Sequence, residues 1–128
     1  MSLEVGDLVY NAIRTPDGTI IESRNVHDYV EHLDSNGKRY MVDGGLSYAR
    51  RNHGDYENLS LSYGDSHAAI REVFSWGTYG PKGDQPFTLV LLKNMSEGHL
   101  KAIIKDGYPM SPVMQDELTW RITSESQQ

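Results

Sequence analysis

The chain has 128 residues, a length typical of one domain, with 38% apolar and 9% aromatic residues, too many for a disordered chain. Cysteine is absent, which excludes disulfides, thiol nucleophiles and cysteine-held zinc or iron–sulfur sites. Twelve basic against 18 acidic residues leave a net charge of −6 spread over both halves, which argues against a duplex nucleic-acid binder but not against a local basic pocket for a small anion. No run approaches about 18 apolar residues, so no membrane span is expected. The first ten residues lack the basic and apolar regions of a secretory signal.

In chain order, Leu8 to Arg14 and Thr19 to Arg24 flank Thr15-Pro16-Asp17-Gly18, turn chemistry that predicts a hairpin. His27 to Leu33 and Lys38 to Val42 flank Asp34-Ser35-Asn36-Gly37, a second hairpin signal. Four strands joined by tight turns predict an antiparallel meander. Gly44 and Gly45 end it and call for positive φ or a close backbone approach. Leu46 to Asn52 fits either a helical turn or an edge strand. Tyr56 to Tyr63 alternates Leu59 and Leu61 with polar residues, as a half-buried strand does.

The second half predicts helices. Asp65 caps a helix to about Trp76 with Ile70, Val73 and Phe74 as its apolar stripe, and Gly77 fits the left-handed position after it. Thr78 to Pro86 is an irregular loop. Phe87 to Leu92 is a continuous apolar run expected to be a central buried strand. Asn94 and Glu97 open a helix with Leu100, Ile103 and Ile104 inward, and Gly107 stops it. Ser111 and Pro112 open a last helix with Met114, Leu118 and Ile122 on one side. Thr123 to Gln128 is a polar tail. The expected class is α+β: an antiparallel β-meander followed by about three helices, in a single domain.

Catalytic constellations are poorly supported. His27 and His32 are five apart, a spacing that puts them on opposite faces of a strand, and His53, His67 and His99 are scattered. Asp65-Ser66-His67 holds triad residue types in a row, which cannot converge on one another; capping is the simpler role. Asp116 and Glu117 fall where a first helical turn favours acids. No metal or cofactor is therefore expected.

A binding site is better supplied. The loop from Gly77 to Gly83 combines glycines with Lys82 and lies beside Phe74, Trp76 and Tyr79, ring faces on which a purine can stack. It follows a predicted helix and is not a Walker motif, so a plain loop is the competing reading. Tyr48 to Arg51 joins an aromatic to two guanidinium forks, and Arg71 and Arg121 add two more. The candidate ligand-binding set is Arg50, Arg51, Phe74, Trp76, Tyr79, Lys82 and Arg121. Solvated or ion-paired arginines are the plainer alternative.

Four segments, TPDGTIIESRNVHDYV, NGKRYMVDGGLSYARRN, VFSWGTYGPKGDQP and LLKNMSEGHLKAII, with an echo at Asp116 to Arg121, resemble small proteins encoded by tailed phages. The size and β-then-α order resemble the anti-defence signal sponges that act against the Thoeris system. That resemblance implies a non-enzymatic protein in the cytoplasm of the infected host cell. It implies a dimer or higher homo-oligomer that sequesters a cyclic nucleotide, of the cyclic ADP-ribose type or a cyclic oligonucleotide; net charge and hydropathy argue separately against duplex and membrane partners. The candidate residues come from their chemistry, not from the resemblance. A module that inhibits a host protein directly is the alternative. A cyclic-nucleotide-cleaving enzyme using His27 or His53 is a third.

Overall fold

A computed structural model describes residues 3–24, 28–47, 49–52, 54–80 and 82–126. The chain is α+β, with antiparallel strands ahead of and between three helices among the described residues. It divides into two compact units, Val5–Tyr63 and Gly64–Gln128, the latter joined by the first few residues.

Val5–Tyr63 is built from short strands: β1 (Leu8–Tyr10), β2 (Ala12–Arg14), β3 (Ile20–Glu22), β4 (Val30–Leu33), β5 (Arg39–Asp43), β6 (Arg50–Arg51), β7 (Glu57–Asn58) and β8 (Leu61–Ser62). Both expected hairpins form. Gly18 and Gly37 take φ of +88° and +82° at their turns, where a side chain would be strained. Asp34 closes the second turn by accepting from the amides of Asn36 (3.0 Å) and Lys38 (2.9 Å). The hairpins do not share one sheet. The orders are β3-β2-β7 and β4-β5-β6, with β1-β8 a separate pair. The third strands are β7 and β6, which cover edges of β2 and β5 that a four-strand meander would leave open.

Leu46 and Ser47 lie in a turn and Arg50–Arg51 form edge strand β6, with Arg50 opposite Asp43 and Arg51 opposite Val42. The strand expected over Tyr56 to Tyr63 is broken into β7 and β8. Ile13, Ile21, Tyr40 and Val42 form the core of this unit, with Val30 and Tyr56 packed against it.

In Gly64–Gln128 the order is α1 (His67–Val73), β9 (Ser75–Thr78), β10 (Thr88–Leu91), a 3-10 turn (Leu92–Asn94), α2 (Glu97–Lys105) and α3 (Ser111–Ser126). Helix α1 stops at Val73, three residues short of the expected Trp76. Phe74 is extended (φ −66°, ψ 131°), and Trp76 and Gly77 continue as strand, Gly77 opposite Leu89. Gly77 is therefore not a helix C-cap. Ser66 stands at the N-cap of α1 without a side-chain cap bond.

The run Phe87 to Leu92 is not a central buried strand: β10 pairs with β9 alone among the described residues, and its first two residues are exposed. Asn94 lies in the 3-10 turn, and Ser96 caps α2 by accepting from the His99 amide (3.1 Å). Gly107 ends α2 at φ +74°. In α3 the inward positions are Val113, Met114 and Glu117; Ile122 is 70% exposed, so the Met114–Leu118–Ile122 stripe is not the buried one. The helix starts at Ser111, which places Asp116 and Glu117 beyond its first turn, and it includes residues 123–126 of the expected polar tail.

Candidate functional site

The β9–β10 ribbon carries two of the exposed rings of this unit, Tyr79 and Phe87. Strand alternation puts Gly77 opposite Leu89 and Trp76 opposite Val90. Phe87, just before β10, lays its ring over Gly77. A Cβ at Gly77 would sit 2.6 Å from the Cε2 and Cζ atoms of Phe87, so only glycine admits that ring position. Tyr79 meets Phe87 at 5.4 Å between centroids, tilted by 58°. Both rings are more than half exposed, at 57% and 55%. Aromatic pairs at such separations attract, so the two rings hold each other in place while leaving faces to solvent.

The loop between the strands folds back on itself. Gln85 donates its amide to Tyr79 O (2.8 Å), Gly83 to Gly80 O (3.1 Å) and Gly80 to Thr78 Oγ1 (3.1 Å). Gly80 and Gly83 take φ of +89° and +72°. Lys82 is exposed in this loop and has no ion-pair partner among the described residues. An exposed ring pair and an exposed ammonium in one loop can take a flat π-system and an anionic group.

The remaining candidates have other partners. Trp76 is half-buried and edge-on to Tyr108, at 5.4 Å and 80°. Phe74 is 2% exposed and packs in the interior, presenting no face to a ligand. Arg50 is exposed on β6. Arg51 serves as a polar hub in the first unit. It donates to Asn58 Oδ1 (2.7 Å), Asn11 Oδ1 (3.1 Å) and Ser60 Oγ, and it lies over the Tyr56 ring at 5.9 Å. Asn11 in turn donates to Asp43 O and Gly45 O, so the hub locks the glycine turn where positive φ was expected. Structure thus brings Tyr79 and Lys82 to one loop, adds Phe87, and places Arg50 and Arg51 in the other unit.

Arg121 belongs to a cluster that sequence reading missed. Glu117 is fully buried and accepts four bonds: from His67 Nε2 (3.0 Å), Arg71 Nε (3.0 Å), Arg71 Nη2 (2.9 Å) and Arg121 Nε (2.8 Å). Arg121 also reaches Leu92 O (3.2 Å) and Lys93 O (3.4 Å). Trp120 lies beneath Arg71 at 5.4 Å and beside His67 at 5.8 Å. Burial pushes the Glu117 carboxyl up, but the bonds from Arg71, Arg121 and His67 outweigh it and hold it below the usual carboxylate range. The Glu117–Arg121 spacing of four on one helix was a legible signal; the contribution of Arg71 and His67 from another helix was not.

In the first unit, Asp17 clips the two hairpin turns together. It accepts from the Thr15 hydroxyl, His32 Nε2 (2.9 Å), the Thr19 amide (3.2 Å) and the Ser35 amide (3.1 Å), and the Thr15 and His32 bonds lower its pKa far below the usual range. Among the described residues no three His, Cys, Asp or Glu side chains are grouped to hold a metal, and no helix is long and apolar enough to cross a membrane. His27, Tyr48 and His53 lie outside the described residues. No protein-family model, curated protein or solved structure matches the chain.

Proposed function

We propose that the protein is a phage anti-defence sponge that binds and sequesters a cyclic nucleotide immune signal, of the cyclic ADP-ribose type or a cyclic oligonucleotide, without cleaving it. The observation that carries this reading is the exposed Tyr79–Phe87 pair on the β9–β10 ribbon, with Lys82 exposed in the same loop. Rings held at the mouth of a hydrogen-bonded loop stack on a base, and the ammonium neutralises a phosphate.

Magnitudes bear on the assembly. Stacking contributes roughly 1–3 kcal/mol per base, and an exposed charge pair about 1 kcal/mol or less. A sponge that competes with an effector at a Kd near 10 nM needs about 11 kcal/mol. One open ribbon falls short, so the reading includes a homo-oligomer, dimer or higher, in which further copies supply the remaining contacts. The working compartment is the host cytoplasm.

Calorimetry with cyclic ADP-ribose and cyclic di- and trinucleotides tests the reading, with the bound compound recovered by denaturation. Intact recovery at fixed stoichiometry is expected, and Tyr79→Ala is expected to weaken binding about ten-fold or more. A cleaved product would make the protein an enzyme. A second reading, direct inhibition of a host protein, draws on the open groove of about 520 Å³ beside Ile104, Tyr108, Pro109 and Pro112. It predicts no captured nucleotide.

A further inference from the structure

We infer that the outer face of the Glu117 cluster is an oxyanion site, suited to a phosphate-type group held by Arg71 and Arg121. Two guanidiniums face one carboxylate, so the cluster carries an excess positive charge before His67 is counted. The neighbouring acids do not cancel it. Glu72 is bound to Lys93 (2.5 Å), and Glu97 to Lys101 (2.7 Å). A chain of net charge −6 thus holds a local cationic spot.

The donors are only partly spent. Arg71 uses Nε and Nη2 on Glu117, and Arg121 uses Nε on Glu117 and Nη2 on two carbonyls. The Nη1 group of each has no partner among the described residues. Glu117 is completely buried, whereas Arg71 and Arg121 retain 19% and 27% exposure, so the cations form the layer between the carboxylate and solvent. Glu117 fixes the inner edge of both forks, and Trp120 fixes the plane of Arg71. Pre-set forks with unspent N–H groups bind phosphate oxygens with little further loss of side-chain freedom.

This inference does not rest on the ribbon: its residues are Arg71 and Arg121, with Trp120 as reporter. The test titrates the full-length protein with inorganic pyrophosphate, ADP and adenosine. Calorimetry is read together with the Trp120 indole N–H resonance. Saturable pyrophosphate or ADP binding that moves the Trp120 resonance is expected. Equal affinities identify a free phosphate ligand; ADP about ten-fold tighter identifies a nucleotide phosphate, and adenosine alone is expected not to bind. Arg121→Lys and Arg71→Lys, checked for folding by circular dichroism, are expected to lower affinity about ten-fold. Absence of saturable binding to the folded wild type would overturn the inference. So would binding that leaves Trp120 unmoved, or that survives both arginine variants. If a variant fails to fold, the Trp120 response of the wild type decides.

Discussion

Replacing Glu117 with alanine perturbs the most concentrated polar interaction in Gly64–Gln128. The carboxylate accepts four bonds from the Arg71 and Arg121 guanidiniums and the His67 ring and is itself fully buried. Removing one partner of a buried ion pair costs about 3–5 kcal/mol. Here the stranded groups, His67, Arg71 and Arg121, keep 16–27% exposure, so water can partly resolvate them. The expected cost is therefore at the low end, about 3 kcal/mol, equivalent to a fall in Tm of about 10 °C for a chain of this size. Glu117→Gln keeps the shape and loses the charge, so it is expected to cost about half as much.

Urea unfolding followed by tryptophan fluorescence measures this directly, because both tryptophans, Trp76 and Trp120, lie in that unit. The pH dependence adds a second check. The folded pKa of Glu117 is depressed, so its contribution is complete above the unfolded carboxyl pKa and is lost as pH falls through the folded value. Wild-type stability should decline below about pH 5, and the alanine variant should lack that component. A cost under about 1 kcal/mol for Glu117→Ala, or parallel pH profiles, would refute the assignment of Glu117 as the tie between α1 and α3.

Three further outcomes follow from particular contacts. Gly77→Ala puts a methyl 2.6 Å from the Phe87 ring edge; the exposed ring swings aside at a stability cost under about 1 kcal/mol, while cyclic-nucleotide affinity, read by calorimetry, falls about ten-fold. Asp17→Asn loosens the clip between the two hairpin turns. Amide hydrogen exchange at Ser35 should accelerate at neutral pH, and wild type should show the same acceleration only as acid protonates Asp17 through its depressed folded pKa. Arg51→Met leaves Asn11, Asn58 and Ser60 without their shared donor and should cost about 2 kcal/mol in thermal or urea unfolding of the first unit.

The α+β class and both hairpins were legible because glycine, proline and aspartate act locally: the geometry at Gly18 and Gly37 is fixed within a few residues. The pairing of β7 with β2 and of β6 with β5 was not, since it depends on contacts far apart in sequence. The stretch from Ser75 to Thr78 misled because helical spacing of Ile70, Val73 and Phe74 runs straight into it. The switch to strand is set by pairing with β10, which no local pattern announces. For the site, Tyr79 and Lys82 were visible as loop chemistry. Phe87 was hidden in a run that looked like core, and its exposure follows from the ribbon having no third strand among the described residues. Glu117 looked like a helix-dipole acid. Its partners, Arg71 and His67, lie 46 and 50 residues away, where spacing along one helix carries no signal.

The central claim is tested most directly by capture from cells. Purified protein is incubated with lysate in which nucleotide-signalling immunity has been triggered, then washed, denatured, and its released small molecules analysed by mass spectrometry. An intact cyclic nucleotide, stoichiometric with wild-type protein and depleted with Tyr79→Ala, is the predicted result. A cleaved product, or folded protein that releases no nucleotide, would contradict it.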